Sequence, residues 1–158
     1  MRSWRARAVV VLAAMSATVV IGAVPAAQAD GEGATALNAV LTGPQEVPTL
    51  GDPDGRGTFA GVVKGDELCY VLVANRIDTP LAAHIHTGAA GVPGDIVVGL
   101  EVPDNVARGC ITTVPDEQNT TATLTESELA AILASPADFY VNVHNALFPG
   151  GAIRGQLH

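Results

Sequence analysis

Two histidines stand one residue apart in the stretch AAHIHTGAAGVPGDIVVGL, and a third closes FYVNVHN near the C-terminus: His84, His86 and His144. Residues i and i+2 of a β-strand share a face, so His84 and His86 point the same way. Neutral imidazoles one pleat apart can bind a single ion together. A third would complete a tri-histidine site for copper or zinc. The competing reading is a hydrogen-bonded polar network, in which the imidazoles and nearby Asn142 and Thr87 satisfy carbonyls of the glycine-rich loops. Asp95 and Asp138 are further carboxylates within reach in sequence, and His158 is read as a frayed terminus.

Other chemistry finds little material. No G-x-S-x-G or H-E-x-x-H pattern occurs. Glu126 and Glu128 belong to a helix start, where acids are expected without catalysis. GDPDGRG imitates the start of a calcium loop, but Val63 stands where a bidentate glutamate is needed. Cys69 and Cys110 are the chain's two cysteines. In an oxidising compartment an even, low count reads as one disulfide; a thiolate metal site lacks the C-x-x-C spacing. No catalytic residue is assigned, and the chain is not read as an enzyme.

The elements that must position the histidines are strands. Short runs of valine, isoleucine and threonine are interrupted by glycine and proline about every 8–12 residues, the rhythm of an all-β sandwich or barrel. Strands are expected at 34–42, 57–64, 67–75, 81–87, 95–101, 109–114, 119–124, 138–145 and 151–157. One short helix is expected near 125–134, with Thr125 as N-cap, Glu128 closing a capping box, and Leu129, Ile132 and Leu133 as its apolar stripe. In FYVNVHN, Phe139, Val141 and Val143 form the core face, leaving Tyr140, Asn142 and His144 on the other. If this strand neighbours LAAHIHT, all three histidines leave the core by the same side. HIHTGAAGVPGDIVVGL and NVHNALFPGGAIRGQL also echo one another as strand, histidine, Gly/Pro loop and strand.

The ends and the charge set the context. MRSWRAR, the apolar run AVVVLAAMSATVVIGAVPA and the small-residue site AQA follow the order of a secretory signal peptide over residues 1–29, removed to leave Asp30 first. A retained membrane anchor is the alternative. Residues 30–158 form one domain, expected to be secreted and without stable membrane insertion. They hold all 16 acids and only five basic residues, a formal charge of −11. A phosphate backbone is repelled by such a surface, so nucleic-acid binding is excluded as an expectation.

Three blocks carry a family resemblance: LTGPQEVP at 41–48, AAHIHTGAAGVPGDIVVGL at 82–100 and FYVNVHNALFPGGAIRGQL at 139–157. They resemble the signature blocks of the CHRD domain, named from chordin and found also in exported bacterial proteins. The resemblance covers about residues 34–158 and implies an antiparallel, Greek-key-like β-sandwich or barrel. The chain is read first as a non-enzymatic exported binding or structural module with an unnamed protein or cell-surface partner, and second as a copper- or zinc-binding protein using His84, His86 and His144. The family's last block usually reads GGEIRGQL; Ala152 replaces its glutamate here. A lesser similarity is to copper-zinc superoxide dismutase, which also sets H-x-H on a strand of a Greek-key sandwich. That enzyme needs more histidines than this chain offers, so its activity is not expected.

Overall fold

A strict alternation of apolar and polar residues builds the first half of the fold. In the computed structural model, which describes residues 33–158, β1 (Thr35–Thr42), β2 (Arg56–Lys64) and β3 (Glu67–Asn75) form an antiparallel meander. Every second residue of β2 is buried, from Gly57 to Val63. Only two residues join β2 to β3, and Gly65 takes a positive φ of 59° there, a conformation glycine adopts without a Cβ clash. The expected signal peptide and its cleavage site lie outside the described residues.

The remaining strands are β4 (Pro80–Thr87), β5 (Ile96–Leu100), β6 (Val106–Thr112), β7 (Phe139–Asn145) and β8 (Ile153–Gln156). All pair antiparallel in one eight-stranded sheet of order β5-β4-β7-β8-β1-β2-β3-β6. The run β8-β1-β2-β3 is a Greek key: a meander whose fourth strand returns from far along the chain to lie beside the first. The sheet curls until its inner face surrounds one core, to which Leu37, Phe59, Leu72, Ile85, Val98, Ala107, Val141 and Ile153 bring residues from every strand. All of these but the small Ala107 contribute about 1.5–3 kcal/mol each on full burial. The expected all-β class is therefore found, with the sheet continuous and nearly closed.

The helix, α1, spans Glu126–Ala134. Thr125 caps it, and Glu128 returns a carboxylate to the Thr125 N–H at 2.9 Å, completing the capping box. Leu129 and Ile132 enter the core, with Leu133 partly buried beside them.

Two expectations need correction. Residues 119–124 are turn and coil, not a strand. The threonines there bond locally: the Thr120 N–H donates to Thr123 Oγ1, and that hydroxyl turns to the Gln118 carbonyl, so side chains compete for the groups a ladder would use. The segment still serves the barrel, because the Thr121 carbonyl accepts from the Gly99 N–H on edge strand β5. His158 is not frayed in its backbone, since its N–H and C=O pair with Asn38 at 3.0 and 2.9 Å.

Candidate metal centre

β4 and β7 lie side by side, with His84 opposite Asn142, His86 opposite Tyr140, and Ala82 opposite His144. Directly opposed residues share a face, so the three histidines emerge together, away from Ile85, Val141 and Val143. Ring centroids are 5.0 Å apart for His84 and His144, 5.3 Å for His84 and His86, and 6.2 Å for His86 and His144. One ligand nitrogen from each lies within 4.8 Å of the other two.

The outer face of these strands is only partly open to water, with His84 and His144 half-buried. His86 is 8% exposed and Asn142 2%. Tyr140 and Arg154 are also buried, so β7 is covered on both faces. The cover comes from the loops after β4 and β7. The His86 Nδ1–H donates to the Gly94 carbonyl at 3.0 Å, and the His144 Nδ1–H to the Pro149 carbonyl at 3.0 Å. The Gly94 N–H reaches the Tyr140 hydroxyl at 3.4 Å, and Gln156 Nε2 donates to the Gly88 carbonyl. The two similar hairpins seen in the sequence thus do the same work, each holding one histidine by a loop carbonyl.

Those two bonds determine the tautomers. A neutral imidazole that donates from Nδ1 carries its lone pair on Nε2. His86 Nε2 is buried and has no hydrogen-bond partner among the described residues. The His144 Nε2 lone pair accepts from His84 Nδ1–H at 3.2 Å; Asn142 Oδ1, 3.1 Å away, is itself an acceptor and makes no hydrogen bond to it. The rings are held neutral. Burial, then the neighbouring imidazoles of His144 and His86, push His84 down to about 4. Burial is the first cause that lowers His86 and His144 as well, against the carbonyl bonds that raise them.

The two sequence-named network partners part company. Asn142 sits among the rings. Thr87 does not join them: it lies on the opposite face beside Phe139, exposed, and its N–H bonds to the Asp95 carbonyl. Asp95 and Asp138 contribute no atom to the histidine cluster.

Three residues that sequence reasoning did not single out complete the site. Arg154 lies opposite Asn142 on β8, and its guanidinium carbon is 3.4 Å from the Tyr140 ring centroid. His86 stacks on the same ring at 4.8 Å and 4°. Because β7 runs between β4 and β8, the tyrosine is sandwiched between imidazole and guanidinium. Gln156 Nε2 lies within hydrogen-bond distance of the carbonyls of Gly88, Ala137 and Phe139, the last at the start of β7. Glu46, 2% exposed, has its carboxyl pushed up to about 7 by burial, against the pull of Arg154 and bonds from Val47 and Asn142. A signal for Arg154 and Gln156 existed: they alternate with Ile153 and Leu157, so parity places them on the face of Asn142.

Outside the histidine cluster, Cys69 and Cys110 are directly opposed on β3 and β6 and are joined as a disulfide. They are unavailable as thiolate ligands.

No curated protein and no solved structure matches the chain. The model of one family, the CHRD domain, matches residues 37–157, from the second turn of β1's alternation to the last core leucine. That span contains the whole histidine site and all eight strands but the first two residues of β1, and the chain accordingly belongs to the CHRD domain family.

Proposed function

We propose that this domain is an exported binding module whose ligand is a transition-metal ion, copper or zinc, held by His84, His86 and His144. The observation that carries the reading is the pair of carbonyl-anchored imidazoles. Gly94 and Pro149 hold the Nδ1 protons of His86 and His144, which leaves both Nε2 lone pairs inside the cluster. Outer hydrogen bonds of this kind orient histidine ligands and raise their basicity. The 3.2 Å gap between His84 Nδ1 and His144 Nε2 suits two ligands of one tetrahedral ion, since bonds of about 2.0–2.1 Å place such nitrogens roughly 3.3 Å apart. Nitrogen donors without thiolates fit zinc or copper better than the hard, oxygen-seeking cations.

Three protein ligands leave a further coordination position. No general base is assigned to it, so the reading stays with binding rather than catalysis. Export is supported by the basic, apolar and A-x-A segments at the N-terminus and by the disulfide, which suits an oxidising compartment.

Tag-free protein, stripped with chelator and titrated with Zn²⁺ and with Cu²⁺, tests the proposal. We expect one equivalent to bind and to be lost on combining His86→Ala with His144→Ala. Binding that is unchanged in that double variant, or no binding by the parent, defeats it.

A further inference from the structure

Two matching pairs of side chains face each other across β4 and β7. His84 and His86 stand one pleat apart on β4, and Asn142 and His144 one pleat apart on β7. Asn142 is opposite His84 in the register, so its amide leaves the barrel by the histidine face. It is buried, and a buried amide needs a partner at each of its polar atoms.

The nitrogen has one. Asn142 donates to the Glu46 carboxylate, which turns Nδ2 away from the rings and Oδ1 towards them. The opposite rotamer would set oxygen against oxygen at Glu46. Gly151 packs on that carboxylate, and a Cβ there would overlap it. The oxygen has none. His144 Nε2, 3.1 Å from Oδ1, is an acceptor, because the His144 proton is held at Nδ1 by Pro149. The His84 Nδ1–H goes to that same nitrogen. Asn142 would also bond a proton on His86, but the Nδ1–H of His86 is held by Gly94, and its Nε2 arrives as a bare lone pair. Among the described residues, no N–H or O–H donates to Oδ1. Acceptors that converge in a buried space repel one another, and native structures rarely leave one without a donor. A cation shared among them removes the repulsion.

We propose, on the metal reading above, that Asn142 Oδ1 is a fourth ligand, which takes the position the three histidines leave and closes the centre. Donors bound at about 2.0–2.2 Å to one tetrahedral ion stand roughly 3.3 Å apart, close to the 3.1 Å between Oδ1 and His144 Nε2. Four protein ligands are the pattern of a structural site, whereas catalytic zinc keeps a position open. All four donors are neutral, and the Glu46 carboxylate behind Asn142 both orients the amide and offsets the charge of the ion.

Tag-free protein, stripped with chelator and loaded with Co²⁺, tests the closure, since cobalt absorbs visible light intensely in four-coordinate sites. Zinc affinity is measured alongside by competition with a chelator. We expect an intense cobalt spectrum that sodium azide does not change. Asn142→Leu keeps the volume and removes the oxygen. It should weaken zinc about tenfold or more, since even outer partners of a ligand are worth 10–100-fold, and its cobalt spectrum should respond to azide. Asn142→Asp returns an oxygen at the same place without the amide donor. It should restore both the affinity and the azide-insensitive spectrum; a merely structural amide would not be replaced in this way. If Asn142→Leu does not fold, the azide response of the parent and Asn142→Asp decide. An azide-sensitive parent spectrum, or unchanged zinc affinity in Asn142→Leu, overturns the fourth ligand and leaves the three histidines standing. A parent that binds neither metal overturns both.

Discussion

At the scale of the residue, half-buried His84 and buried Glu46 pull stability in opposite directions with pH. His84 moves from its ordinary 6.5 to about 4 on folding. Between those values the unfolded chain holds more protons, so acid destabilises the fold across that window. Glu46 moves from 4.5 up to about 7. Between those values the folded chain holds more protons, so its contribution is full in acid and is lost as pH rises. The two slopes oppose one another wherever the windows overlap. Glu46→Gln removes one of them. In metal-free protein, the urea midpoint of that variant should fall more steeply than the parent's from pH 6.5 down to 5. A variant curve parallel to the parent's would show that the Glu46 carboxyl titrates like an exposed one.

At the scale of the element, the loop after β4 decides the site, and Gly94 is its anchor. A Cβ there would stand 1.9 Å from the Thr87 carbonyl oxygen, a backbone atom that cannot step aside. Gly94→Ala should destabilise the domain by about 1–3 kcal/mol, as overpacking does. It should also weaken zinc binding about 10–100-fold, because the carbonyl that orients His86 is displaced. Isothermal titration beside urea unfolding separates the two effects; a stability loss with unchanged affinity would mean that His86 needs no carbonyl anchor. The loop also shows what the sequence could and could not convey. β3 was legible to the residue, at 67–75, because alternation there is unbroken. β6 runs Val106–Thr112, whereas 109–114 was expected. Its inward positions are Ala107, Gly109 and Ile111, and Gly109 is small because the Tyr70 ring fills the space where a Cβ would go. A strand that buries a neighbour's side chain instead of its own gives no apolar signal. The shared face of the histidines followed from parity. The cover over that face did not, because loop carbonyls are not encoded by side-chain type.

For the whole molecule, the strand order places two cross-links on different strand pairs of one barrel. The disulfide joins β3 to edge strand β6, and the histidines join β4 to β7. Strands β8, β1 and β2 separate the two along the sheet, a path of several spacings of about 4.8 Å. The other way round the nearly closed sheet only β5 lies between them: Cys110 lines one surface pocket with Gly99, which pairs with His84. Uncoupled sites contribute additively to within about 0.3–0.5 kcal/mol. Cys69 and Cys110 close a loop with a sequence separation of 41, and opening it should cost about 2–4 kcal/mol. Zinc at a thousandfold excess over its dissociation constant should add about 4 kcal/mol by mass action on the folded state. Urea unfolding of parent and Cys69→Ser/Cys110→Ser protein, each with and without zinc, forms a closed cycle. The zinc increment should be the same in both. An increment that shrinks sharply in the serine variant would mean that loosening β6 reaches the histidines through β5, its counterpart at the other free edge. The barrel would then behave as one strained ring, not as a rigid frame carrying two independent ties.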